Sequence, residues 1–88
     1  MEFDRPQLTA DEVNLVFYEL HKAVAKRLSE KGKGSFVSAH EILGAINEEF
    51  RELEDAVRSD SFIQISKELL DLAVGCVVGI AGIEAGKT

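Results

Sequence analysis

The chain has 88 residues, 45% of them hydrophobic and 30% charged, and a net charge of −6. That size and balance point to one small soluble domain, and acidity without a basic patch excludes a nucleic-acid duplex as partner. The single cysteine, Cys76, excludes an internal disulfide framework; its apolar neighbours make a buried, inert thiol the expectation.

Residues 1–8 read as a short extended arm, because Pro6 disfavours helix before it. The arm lacks the basic-then-apolar pattern of a secretory signal, so a cytoplasmic location is expected. Thr9-Ala10-Asp11-Glu12 has the form of a capping box. Val13, Phe17, Leu20, Val24 and Leu28 then recur at steps of four and three, which predicts an amphipathic helix over 10–31. Lys26, Arg27 and Lys31 suit the negative end of that helix, and Gly32 its C-cap.

Ser38-Ala39-His40-Glu41 is a second capping box, opening a helix over 39–58. Leu43, Ile46, Phe50, Leu53 and Val57 form its expected buried stripe, with Glu49 beside the stripe and Glu52 and then Glu48 further towards solvent. Glu54 and Arg58 are spaced as an i,i+4 ion pair. Ser59-Asp60 makes the turn, and Ser61-Phe62-Ile63-Gln64 caps a third helix over 62–83. Beyond Leu69 that helix is apolar on nearly every side, so it is expected to be the central element. The run is too short, and with Asp71 inside it too polar, for a membrane span. Gly75, Gly79 and Gly82 share the face of Glu68 and Asp71, and imply close approach of another helix, from this chain or a second copy. Residues 84–88 read as a tail. The fold class expected is all-α: one domain over 1–88, an antiparallel bundle of three main helices completed by oligomerisation as a homodimer or homotetramer.

Within that frame the acids are the informative residues. Glu49 and Glu52 share a face of the second helix, and Glu68 and Asp71 a face of the third. Counted from ends at Arg58 and Phe62, Glu52 matches Glu68 in height and Glu49 matches Asp71, about 9–14 Å from the turn. A short loop makes the helices antiparallel neighbours, so four carboxylates would face one another across one seam. They cannot all stay ionised there without a cation or bound protons. Mg²⁺ is the natural cation for such an oxygen set, with Mn²⁺ an alternative. A charge run on a helix is usually only a solvated face. Glu49 flanking an apolar stripe and Asp71 interrupting an apolar helix weigh against that reading, because a buried carboxylate needs a partner. Lys67 could also supply one.

Other motifs carry less. Ala81–Thr88 loosely matches a phosphate loop, but that loop works only between a strand and a helix that follows it. His21 and His40 belong to no E-x-x-H motif, which disfavours a di-iron bundle.

The order E-E-x-x-E over Glu48–Glu52, followed by E-x-x-D over Glu68–Asp71, resembles the MazG-like all-α NTP pyrophosphatase family, which includes the dimeric all-α dUTPases. The resemblance spans roughly residues 39–83, about half the chain. It implies a Mg²⁺-dependent hydrolase converting a nucleoside triphosphate to NMP and pyrophosphate. On that resemblance Glu49, Glu52, Glu68 and Asp71 hold Mg²⁺, and Glu48 is the acid that activates water. Asn14, Phe17, Tyr18 and His21 are the candidates for the base pocket, with no selection among them. The family often uses a further C-terminal helix bearing Lys or Arg to hold phosphates; here Lys67, Lys22 or Lys26 would take that part. The substrate-contacting set expected is therefore Lys67, His21 and Tyr18. The alternatives are a non-catalytic metal- or nucleotide-binding module that retains the acidic site, and a dimerisation domain seamed along Gly75, Gly79 and Gly82.

Overall fold

A computed structural model of the chain describes residues 5–88. It is all-helical, with α1 (Ala10–Lys31), α2 (Ala39–Arg58) and α3 (Phe62–Glu84), and no strand among the described residues. Of the expected arm, residues 1–4 lie outside the described residues, and 5–9 carry no helix.

The helix ends lie where the capping chemistry put them. The Thr9 hydroxyl accepts from the Glu12 amide (3.1 Å), and the Glu12 carboxylate accepts from the Thr9 amide (2.8 Å). That bond draws the Glu12 pKa down. At α2, Ser38 accepts from the Glu41 amide (3.1 Å), but Glu41 reaches one residue further back, to the Val37 amide (2.9 Å). Ser61 accepts from the Gln64 amide to start α3. Gly32 ends α1 at φ 85, and Asp60 takes the left-handed turn position at φ 56, which a short polar side chain tolerates.

Helix α3 is the centre of the fold. Both α1 and α2 pack on it, and they make no helix–helix contact with each other. It carries most of the buried positions, Glu68, Val74, Val78, Gly79 and Gly82, whereas α2 contributes Ala56 and α1 none. The partners of α2 and α3 run in opposite directions: Ile42 lies over Gly79, Ile46 over Gly75, and Glu49 beside Glu68 and Asp71. A β-carbon at Gly75 would stand 3.2 Å from the Ile46 Cδ1, so the glycine lets α2 approach closely. The glycine face is thus covered from within the chain, by α2 and by Ser35 and Phe36 of the preceding loop. This removes the basis for a dimer seam along it.

Four local expectations are corrected. On α2, Leu43, Phe50 and Val57 are 57%, 50% and 55% exposed. The inward ladder is instead Ile42, Ala45, Ile46, Glu49, Leu53 and Ala56, so Glu49 lies within the packed face rather than beside it. Only the C-terminal half of α1 (Leu20, Ala23, Val24, Arg27, Leu28) is drawn in; Val13 and Phe17 are exposed. Cys76 is exposed, because the α3 side carrying Leu69, Cys76, Val77, Ile80 and Ile83 is left uncovered. Arg58 pairs with Asp55 at 3.0 Å rather than with Glu54.

The tail does not follow a strand, as a phosphate loop would. It follows the end of α3 and folds back, with the Ser35 hydroxyl donating to the Lys87 carbonyl (2.9 Å) and the Lys87 amide to the Gly82 carbonyl (2.8 Å). Among the described residues no helix is long and apolar enough to cross a membrane.

Candidate metal centre

Because α2 and α3 run in opposite directions, the inward acid of one meets the acids of the other. Carboxylate oxygens of Glu49, Glu68 and Asp71 lie within 4.8 Å of one another. Glu68 is only 9% exposed, and Glu49 and Asp71 are partly buried. Lys67 Nζ donates to Glu68 Oε1 (3.4 Å) and Asp71 Oδ2 (3.5 Å) from the solvent side. This leaves Glu49 Oε2 and Glu68 Oε2 buried with no hydrogen-bond partner. A buried carboxylate oxygen in that state is costly unless a cation or proton reaches it.

The electrostatics follow from this crowding. Burial first, then the charges of Glu52 and Asp71, raise the Glu49 pKa above its ordinary 4.5; hydrogen bonding to Glu52 and the charge of Glu68 add to the shift. The charges of Asp71 and Glu68 raise the Lys67 pKa in turn.

The donor set fits a hard divalent cation: three carboxylates, two with unpartnered oxygens, and no sulfur or nitrogen ligand.

Of the residues singled out in the sequence, Glu49, Glu68 and Asp71 come together. Glu52 is exposed and outside the trio, though near enough to shift Glu49. Glu48 is exposed and lines the groove next to Glu49. Lys67 touches the acids. Tyr18 and His21 are exposed on α1, Tyr18 under the Lys22 ammonium at 4.9 Å, and neither lines this groove.

The groove itself was not anticipated. It occupies the gap left where α1 and α2 both rest on α3 without touching, with a volume of about 510 Å³. Lys26, Arg27, Glu30 and Lys31 stand along its α1 side, Glu48, Glu49 and Asp71 along the other, and apolar residues including Phe36, Ile46 and Val74 line the remainder. Its sequence signal, three cations in the last turns of α1, is equally the ordinary chemistry of a helix C-terminus.

Comparison with protein-family models, with curated proteins and with solved structures finds no match to this chain.

Proposed function

We propose that this chain is a Mg²⁺-dependent nucleoside triphosphate pyrophosphohydrolase of MazG-like type, releasing NMP and pyrophosphate. The observation that carries the reading is Glu68: a nearly buried carboxylate with one unpartnered oxygen, beside Glu49 and Asp71. The ordered E-E-x-x-E and E-x-x-D motifs add the substrate class.

In this reading Glu49, Glu68 and Asp71 hold the ion, and Glu52 joins by turning in from its exposed position. The bound ion would neutralise phosphate charge and make water a better nucleophile. Water adds across the α–β phosphoanhydride, and Glu48 receives its proton as pyrophosphate leaves. Lys67 balances the acids from the solvent side. The active form is a homo-oligomer in which the uncovered faces complete a helical bundle: the apolar core of one copy comprises little beyond Ala56, Val74 and Val78. The alternative, a module that keeps the acids without turnover, draws on Lys67, whose two contacts make the cluster partly self-neutralising.

The test is pyrophosphate release from a panel of NTPs and dNTPs with Mg²⁺, beside a Glu49→Gln control. Release abolished by the substitution is the expected result. A folded, metal-binding protein that releases none from any nucleotide is the non-catalytic module instead.

A further inference from the structure

The two walls of the groove carry charges of opposite sign that do not pair across it. Lys26, Arg27 and Lys31, with Glu30 among them, line one side and Glu48, Glu49 and Asp71 the other, yet no ion pair joins the two walls among the described residues. Lys26 instead lies 3.9 Å from Glu30 on its own helix, and Arg27 lies over the Phe36 ring at 5.9 Å. The walls cannot simply collapse together, because α1 and α2 are each fixed by packing on α3 and not by each other. Flexible surface charges free to meet would gain by pairing; here the backbone holds them across an open space.

A ligand that satisfies both walls must present a cation to the acids and several anionic oxygens to the bases. A metal-bound polyphosphate chain has that chemistry. Net of Glu30, the three cations leave that wall positive, which suits the anionic oxygens of such a chain. We propose that Lys26, Arg27 and Lys31 form the phosphate grip of this groove, binding the polyphosphate of a ligand whose metal is held by Glu49, Glu68 and Asp71. The inference rests on the metal-site reading above and adds to it the residues that recognise the anion. Of the expected Lys67, Lys22 and Lys26 it keeps Lys26 and adds Arg27 and Lys31, in place of Lys67, which faces the acids from solvent. Lys67 is occupied by Glu68 and Asp71, and any grip on phosphate there would compete with those contacts.

The experiment compares the full chain with K26Q/R27Q/K31Q and with a control of equal charge change away from the groove, K33Q/R51Q/R58Q. Mn²⁺ binding is read by electron paramagnetic resonance. Binding of inorganic tripolyphosphate, and separately of a non-hydrolysable nucleoside triphosphate analogue, is read by calorimetry with Mn²⁺ present. The expected result is Mn²⁺ binding retained in all three proteins, with both anions weakened about tenfold or more in the groove variant alone. Weakening of tripolyphosphate as well as the nucleotide marks the phosphates, not the nucleoside, as what the cations hold. Unchanged anion affinity in the groove variant, with Mn²⁺ still bound, overturns the grip and leaves the metal site standing. Equal loss in the control variant overturns it too, as a net-charge effect. Absence of Mn²⁺ binding in the parent protein removes the metal site and this inference with it.

Discussion

Glu49 on α2 and Glu68 on α3 bring carboxylate oxygens within 4.8 Å of each other, and each keeps one buried oxygen without a hydrogen-bond partner. Two such groups on different helices oppose the packing that brings them together, unless a cation or a proton lies between them.

Replacing Glu68 by Gln tests this directly. The variant removes one buried negative charge while keeping the side-chain shape. In EDTA its melting temperature is expected to equal or exceed that of the parent, by roughly 4–8 °C for each kcal/mol of relieved repulsion. Added Mg²⁺ or Mn²⁺ should raise the melting temperature of the parent but not of the variant. A site at 100 times its dissociation constant contributes about 2.7 kcal/mol. Equal metal response in both proteins would show that the ion binds elsewhere.

The raised pKa of Glu49 gives a pH dependence with a definite sign. Its folded-state value lies above the ordinary 4.5, so the folded protein holds this proton more tightly than the unfolded chain. The resulting stability is fully present below 4.5 and is lost as pH rises through the raised value. Without metal, urea unfolding of the parent minus that of Glu49→Gln should show this loss over that window. With metal the trend reverses, because the ion displaces the proton and its affinity grows with pH. A difference curve that is flat with pH rules out the Glu49 assignment.

The helix ends were legible in the sequence because they are local chemistry: Thr9, Ser38 and Ser61 cap, and Gly32 stops. The meeting of Glu49, Glu68 and Asp71 was legible because a short turn fixes antiparallel register, and height along a helix is simple arithmetic. Which face of α2 turns inward was not. Ile42–Ile46–Glu49–Leu53–Ala56 and Leu43–Ile46–Phe50–Leu53–Val57 are adjacent ladders, and hydrophobicity favours the second. What selects the first is Gly75 and Gly79 on α3, which accept Ile46 and Ile42 at short range. The groove escaped notice for a related reason. It depends on α1 and α2 failing to touch, which no periodicity encodes.

The outward ladder on α2 supplies a prediction about assembly. Leu43, Phe50 and Val57 make an apolar ridge on one side of the helix, and Leu8, Val13, Val16 and Phe17 form a second apolar surface at the start of α1. Exposed apolar area of this kind marks contact surfaces. Phe50→Glu and Phe17→Glu should each lower the mass measured by light scattering towards that of one chain. A parent protein that is already monomeric at micromolar concentration rejects the oligomer.

Gly79 distinguishes packing within the chain from packing between copies. A β-carbon there would meet Ile42 at 3.8 Å and Phe36 at 4.0 Å, both ordinary contacts. Gly79→Ala should therefore be tolerated and gain up to about 1 kcal/mol of helix propensity, visible as a higher urea midpoint. Gly79→Leu should be destabilising, since the longer side chain drives into Ile42 and Phe36. Neither should change the oligomer of whatever protein remains folded.

The attachment of α1 by its C-terminal half alone has a consequence for the time domain. Backbone amides early in α1 lie outside the packed body and can open without breaking any contact between α2 and α3. Hydrogen exchange there should be fast and independent of global unfolding, whereas the amides around Val74 and Val78 should exchange last. The groove is walled on its α1 side by residues 23–31, the half that rests on α3, so its width stays set while the start of the helix opens and closes beyond it.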